Sequence, residues 1–275
     1  PEKLLIPLSR PTDRQNMNFL KGTARSIDPD NHTVEIDGKS LDFDYLVVAT
    51  GATTRPEEVP GMPTHGQSIW TVPGMLKIRE SLNSLVEGDG KRQNVVFVVP
   101  PNNKCSGPLY EMVLMTDTWL RRKGARDRVS LTWTTFEKSY IQAFGPRLND
   151  VVVAEFDRRG IDGHVRFSVD RIEDTEVVFQ NGERIPYDIL ITMPPYAAAA
   201  GFDGLPSDDR GFIDVEQGTR QVKNQPDVYV LGDAGNFPVK QAFLAFLQAD
   251  AVAEHVTRGF LEAVQRLNSS RRACA

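Results

Sequence analysis

Three side chains in this 275-residue sequence have the types and neighbours that chemistry needs: Asp233, Cys105 and Lys240. Asp233 follows Gly232 at the end of the apolar run 228–231, and beyond Pro238 an Ala-rich segment repeats Phe243, Leu244, Leu247 and Ala251 at helical spacing. That is the pattern of a strand, a tight turn carrying a carboxylate, and a helix. The carboxylate can accept hydrogen bonds from a polyhydroxylated ligand, and the helix N-terminus can hold a negative group such as phosphate. A plain strand-to-helix corner with an Asp near the cap has the same pattern. Cys105 sits in a Pro- and Gly-containing loop between a strand and a helix. The adjacent Lys104 and the helix N-terminus would lower its thiol pKa, although a lone buried cysteine is usually an inert small hydrophobe. Lys240 either is solvated or, standing just before the helix, shares the gap with Asp233.

Composition narrows the classes. With 40% hydrophobic and 25% charged residues, the chain can bury one sizeable core or two modest ones. The net charge is −5, and the basic residues are scattered apart from Arg121-Arg122-Lys123 and Arg271-Arg272, so no nucleic-acid partner is expected. Arg121, Arg122 and Lys123 read as the cationic last turn of a helix stopped by Gly124. No run approaches the roughly 18 to 20 apolar residues of a membrane span, and no signal-like start is present. A cytoplasmic location is expected. Cys105 and Cys274 are too few for a disulfide scaffold, and His32, His65, His164 and His255 lack ligand spacing, so no metal is expected. The sequence opens on Pro1, which suggests a fragment or a processed chain.

The elements that must position these residues follow from the pattern. Residues 18–26 read as a strand. Residues 33–36 and 39–43 flank Asp37-Gly38, a strong two-residue hairpin signal. The run 45–49 has no alternation, so it is expected to be buried on both faces, and it ends at Thr50-Gly51. Helical spacing over 73–87 stops at Gly88 and links two domains. A strand at 94–99, a helix at 111–122 and a strand at 129–134 make a crossover unit, hence a parallel sheet. A helix at 149–159 and a second hairpin around Asn181-Gly182 follow.

The two hairpins are copies. Placing Gly38 over Gly182 aligns Leu41 with Ile185, Phe43 with Tyr187, Asp44 with Asp188, Leu46 with Leu190 and Val47 with Ile191, at a spacing of 144. Six features in register make duplication the better reading than chance. The second copy has a crossover strand starting at Val95, whose counterpart in the first copy would fall before residue 1.

Duplicated units with these turns resemble the two-dinucleotide-binding-domain flavoproteins, the FAD-dependent pyridine nucleotide-disulfide oxidoreductase superfamily. In these a nicotinamide-type domain is inserted into an FAD domain. Tyr45-Leu46-Val47-Val48-Ala49-Thr50-Gly51-Ala52 is similar to the strand that closes the first half of an FAD domain, and Val228-Tyr229-Val230-Leu231-Gly232-Asp233-Ala234 to the second FAD fingerprint. Within the superfamily the resemblance is greatest to sulfide:quinone oxidoreductases and the flavoprotein subunit of flavocytochrome c sulfide dehydrogenase. It is carried by Lys104-Cys105-Ser106-Gly107-Pro108-Leu109-Tyr110-Glu111, Ala143-Phe144-Gly145, Pro194-Pro195-Tyr196 and Pro238-Val239-Lys240, and spans residues 18–260.

The resemblance implies an α/β, Rossmann-like FAD/NAD(P)-binding fold of two parallel-sheet units with antiparallel hairpins, the first incomplete. Residues 1–72 and 206–275 would form the FAD-type domain and 73–205 the inserted one. FAD would be held by Ala24, Thr50, Gly51, Gly232, Asp233 and Lys240, with Asp233 on the ribityl hydroxyls. Cys105 would take sulfur from sulfide or another small sulfur substrate, and Lys240 would stabilise the reduced flavin. A quinone or cytochrome acceptor, a homo-oligomer and, in a full-length form, a peripheral membrane seat are also implied. The chain departs from the pattern in lacking the first Gly-x-Gly-x-x-Gly. It also has Pro100-Pro101-Asn102-Asn103 where a nicotinamide cofactor needs glycines, which argues against NAD(P). Glu137, at the strand end where a ribose would be read, is then expected to be a surface acid. Cys274, the one cysteine downstream of Asp233, stands in a polar terminal segment. Two alternatives stay open: a flavin-free remnant used for binding or regulation, and an NAD(P)H-dependent flavin reductase.

Overall fold

One pattern is laid down twice along the chain. In the computed structural model, which describes residues 6–273 and side chains as far as 262, a short helix α1 (Ser9–Arg14) precedes β1 (Ala24–Asp28), β2 (Thr33–Ile36), β3 (Lys39–Asp42) and β4 (Leu46–Val48). The first three strands make an antiparallel sheet in that order. The turn between β2 and β3 closes Ile36 against Lys39, with Asp37 and Gly38 at φ 49° and 79°, the left-handed pair that a two-residue hairpin requires. The expected strand at 18–26 begins later, at Ala24.

The chain continues through β5 (Ala52–Thr54), α2 (Met62–His65), β6 (Gln67–Ser68), α3 (Val72–Glu87), β7 (Gln93–Val99), α4 (Gly107–Arg122), β8 (Val129–Thr135), α5 (Pro146–Arg159) and β9 (Ile161–Val165). A second antiparallel trio follows, β10 (Val169–Ile172), β11 (Glu176–Phe179) and β12 (Arg184–Pro186), then β13 (Ile189–Thr192). After β14 (Tyr196–Ala198) come β15 (Gln221–Val222), β16 (Gln225–Val230) and α6 (Ala242–Ala273). The two trios have the same strand order and each feeds one strand of a parallel pair, so the repeat read from the hairpins is a repeat of structure.

The chain forms two units, one contributed by residues up to Thr53 and from Ala197, the other by 54–196. Residues 54–72 fall in the inserted unit because β6 pairs with β13, Gln67 opposite Ile191. Its sheet has five strands in the order β6-β13-β7-β8-β9, every pair parallel. Period-2 alternation along β7 sends Val96 and Val98 toward Val177, Phe179 and Leu190 in one core cluster. Phe97, one residue out of phase, stacks on Trp133, which Tyr110 of α4 covers at 3.9 Å between ring centres. Both α4 and α5 start earlier than their apolar spacing suggests. Pro108 and Pro146 stand in the first turns, where a missing N–H costs nothing.

A fully buried carboxylate ties this unit's periphery together. Asp117 on α4 is 0% exposed and accepts from Arg126 Nε at 2.6 Å, Arg159 Nη1 at 2.8 Å and Arg121 Nε at 3.0 Å. Arg121 and Arg126 also donate to the Arg159 carbonyl, each at 2.9 Å. Burial opposes ionisation of Asp117, but the three guanidinium donors outweigh it and hold its carboxyl below the usual range.

The outer unit has a three-stranded sheet, β15-β16-β4, in which β4 runs parallel to β16. The expectation that 45–49 is buried on both faces fails here. Val47 is 45% exposed and Tyr45 41%, and only Val48 is buried. The reason is position in the sheet: β13 lies between β6 and β7, whereas its counterpart β4 is an edge. Removing Asp117 as Asp117→Ala should cost the inserted unit about 3 kcal/mol, the scale for stranding the partners of a buried ion pair. Urea unfolding followed through tryptophan fluorescence, with Trp70, Trp119 and Trp133 all in this unit, measures it, and a cost under about 1 kcal/mol would make the clamp a surface ion pair in energetic terms.

Candidate functional site

In the outer unit the parallel pairing decides where the turns go. Val230 lies opposite Val48, and the Leu231 N–H donates to the Val48 carbonyl at 3.1 Å. Both strands then end in glycines at positive φ, Gly51 at 77° and Gly232 at 65°. Thr50-Gly51 and Gly232-Asp233 therefore leave the same end of adjacent strands, as a shared ligand would need. The Gly232 N–H donates at 2.8 Å to Oε1 of Gln248, a buried residue of α6, and a side chain at 232 would meet the Ala245 Cβ at 3.4 Å. Gly232–Ala234 makes one 3-10 turn, fixed behind by Ile213, whose N–H donates to the Ala234 carbonyl at 3.0 Å.

Asp233 is half-buried at the front of this turn, and among the described residues no donor reaches its carboxylate. Burial pushes its pKa up, and the positive charge of Lys240 pulls against that rise. Lys240 is not solvated: it is 2% exposed, its Nζ donates to the Gly235 carbonyl, and it stands 3.8 Å from the centre of the Phe212 ring. A second buried cation, Arg220, covers the Phe237 ring at 5.0 Å. The two contacts fasten the 232–240 segment to the stretch before β15. Ala24 stands apart from this arrangement in sheet terms, on β1 of the antiparallel trio.

In the inserted unit Cys105 is half-buried on the loop that leaves the C-terminal end of β7. Its N–H donates at 2.9 Å to Oδ1 of Asn103, a buried side chain whose Nδ2 donates to the Met193 and Pro194 carbonyls at 2.9 and 3.3 Å. The Tyr196 N–H returns a bond to the Asn102 carbonyl at 3.0 Å. The cysteine loop and the Pro194-Pro195-Tyr196 segment are thus joined because β7 and β13 are neighbours. Asn103 carries no sequence signal beyond a polar residue in a loop. Glu137 departs from the surface acid expected of it. Its carboxylate accepts from Thr135 Oγ1 at 2.9 Å, the Gln142 N–H at 3.2 Å, Ser106 Oγ at 3.3 Å and Tyr110 Oη at 3.4 Å. Burial raises its pKa against the pull of those donors. Cys274 lies outside the described residues.

No family model matches the chain. It is 32% identical over 210 residues to the sulfide-quinone reductase of Aquifex aeolicus, covering 71% of this chain and 46% of that protein. It is 28% identical over 229 residues to the mitochondrial sulfide:quinone oxidoreductase of Dictyostelium discoideum, covering 78% and 49%. The chain thus spans about half the length of the curated relatives it matches. The X-ray structure of the Aquifex aeolicus sulfide:quinone oxidoreductase superposes with a TM-score of 0.82 at 26% identity, over 94% of this chain and 64% of that one.

The raised pKa of Asp233 fixes a sign. The folded chain holds this proton more tightly than the unfolded chain, so the stability tied to it is present below the ordinary carboxylate pKa and is lost as pH rises through the raised value. Asp233→Asn should therefore melt higher relative to wild type at pH 7 than at pH 4. A difference in melting temperature that is flat or opposite in slope between those pH values contradicts the assignment.

Proposed function

Since the chain belongs to the FAD-dependent pyridine nucleotide-disulfide oxidoreductase superfamily, we propose that it is the core of a sulfide:quinone-oxidoreductase-type enzyme that binds FAD and oxidises sulfide through Cys105. The observation that carries this reading is the similarity to the Aquifex aeolicus sulfide-quinone reductase in sequence and in fold. The site supports it. Asp233 offers a half-buried carboxylate with acceptor capacity to spare, which suits the hydroxyls of a ribityl chain, and Thr50, Gly51 and Gly232 leave room at the paired strand ends. Ala24 is proposed as a further contact on the cofactor. Lys240, buried near Asp233, keeps positive potential in this region and favours a ligand that gains negative charge.

When bound, FAD supplies acceptance of two electrons. Cys105 meets hydrosulfide as a thiolate and carries the sulfur as a persulfide, releasing one proton with those electrons. Asn103 holds the cysteine backbone through this exchange. The acceptor is a quinone or a cytochrome, and the site of quinone access is a membrane surface touched peripherally. Among the described residues no helix is long and apolar enough to cross a membrane. The inserted unit binds no NAD(P), since Pro100, Pro101 and the inward-held Glu137 occupy the places where a dinucleotide needs glycines and a waiting acid.

A second reading is favoured by one observation, the open edge at β4: the residues present hold no flavin and serve as a binding domain. The visible spectrum separates the two. Purified chain mixed with FAD and passed through a desalting column should stay yellow, and a colourless eluate sinks the enzyme reading. In flavin-loaded protein, sulfide should bleach the absorbance and Cys105→Ser should abolish that bleaching by two orders of magnitude or more in rate, roughly the loss seen when a nucleophile is removed. Bleaching that survives the substitution places sulfur entry elsewhere, and rapid bleaching by NADH would make the protein a nicotinamide-dependent reductase.

A further inference from the structure

Lys240 is held from two sides, and both holds go back to one dipeptide, Phe212-Ile213. Its Nζ donates to the Gly235 carbonyl and stands over the face of the Phe212 ring, 3.8 Å from the centre. Gly235 is fixed by Ile213, which bridges it in parallel: the Ile213 N–H donates to the Ala234 carbonyl at 3.0 Å, and the Ile213 carbonyl accepts from the Asn236 N–H at 2.9 Å. The ring is anchored in turn. Phe212 is 1% exposed, its N–H donates to Oδ1 of Asp208 at 2.9 Å, and its carbonyl accepts from the Asp208 N–H at 2.9 Å. The same two residues thus set the back of the Asp233 turn and the place of the Lys240 charge.

An ammonium taken out of water needs compensation, and the kind of partner decides what its charge can still do. A carboxylate in the ring's place would pair with it and cancel the charge. An aromatic face attracts the cation through its quadrupole and carries no net charge, so positive potential survives burial. That potential reaches the carboxylate of the turn: Lys240 pulls the Asp233 carboxyl down against the rise that burial imposes. The reciprocal contact, Arg220 over the Phe237 ring at 5.0 Å, puts a cation from each stretch on an aromatic ring of the other and opposes sliding of 232–240. We infer that Phe212 is a positioning residue: through a partner that carries no charge, it holds Lys240 as a buried ammonium at the strand-end turn, where that charge acts on an anionic ligand. The inference rests on the reading of this turn as the cofactor site. It gives a core phenylalanine, whose burial packing alone would explain, a share in how strongly the site favours a reduced, negatively charged cofactor.

The test is acylation of Lys240 by acetic anhydride in the flavin-free full chain, read at that residue by peptide mass spectrometry, with Phe212 replaced in turn by mono-, di- and trifluorinated phenylalanine. Fluorine withdraws negative charge from the ring face and barely changes its volume, so a role in packing alone is left untouched. The ring opposes both release of the side chain and loss of its proton. Acylation at pH 8 should therefore rise in the order of fluorine content, by about two- to tenfold for the trifluorinated ring, the range of one cation–π contact. Phe212→Leu, which keeps apolar bulk without a ring, should accelerate it at least as much. Equal rates across the fluorinated series, or rates that fall, overturn the inference, and the series decides alone if Phe212→Leu does not fold. A second readout uses chain loaded with FAD: at equilibrium with a reference dye, the ratio of reduced to oxidised flavin should fall by about twofold or more with the trifluorinated ring. Faster acylation with an unchanged ratio overturns the effect on the cofactor. A chain that retains no FAD defeats the cofactor-site reading instead, and the acylation series still shows whether Phe212 holds Lys240.

Discussion

Parallel pairing between strands distant in sequence is the constraint on which the other arrangements depend. Parallel neighbours cannot be joined by a hairpin, so each pair brings together carboxyl ends supplied by separate parts of the chain. In the outer unit β4 beside β16 sets Gly51 next to Gly232. In the inserted unit β7 beside β13 lets Asn103 reach the Met193 and Pro194 carbonyls. The candidate residues Gly51, Asp233 and Cys105 all hang from such strand ends.

Three charged groups drawn away from solvent, Asp117, Lys240 and the half-buried Glu137, are handled in three ways. Asp117 receives a surplus of guanidinium donors and is held ionised, a structural solution that closes the far side of the inserted sheet. Lys240 has an aromatic face and a carbonyl, which satisfy the ammonium without cancelling its charge, so its field still reaches Asp233. Glu137 is satisfied by neutral hydroxyls and an amide, which solvate a carboxylate but return no positive charge. The first arrangement suits stability. The other two leave net charge in place beside residues that chemistry would use, which is where perturbed groups gather in functional sites.

Much of the fold was legible in the sequence because it followed from local rules. Asp37-Gly38 and Asn181-Gly182 demanded hairpins, and apolar runs such as 94–99 demanded buried strands. The spacing of 144 between the hairpins exposes the duplication in the sequence itself. Helix starts were misplaced where proline allowed a turn that apolar spacing did not require, as at Gly107 and Pro146. The burial of 45–49 was misread for a deeper reason: an apolar run states what a strand can tolerate, and the number of neighbours it has is a property of the sheet. Of the candidate site, the strand-end turn at Gly232-Asp233 and the loop position of Cys105 were legible from residue type and spacing. Gln248, Phe212 and Asn103 were not, since each acts across a gap in sequence that only tertiary pairing closes.

The ladder between Val48 and Val230 also governs the order of assembly. Its strands are separated by an entire self-contained unit, and the entropy of closing that loop must be met before the ladder returns any hydrogen bonds. The inserted unit is continuous in sequence and can form first, which turns a long floppy loop into a folded body with two fixed ends. The Asp233 turn is then the last part of the molecule to exist. During refolding, closure of that turn marks completion of the outer unit, while the Cys105 loop matures earlier and independently of it.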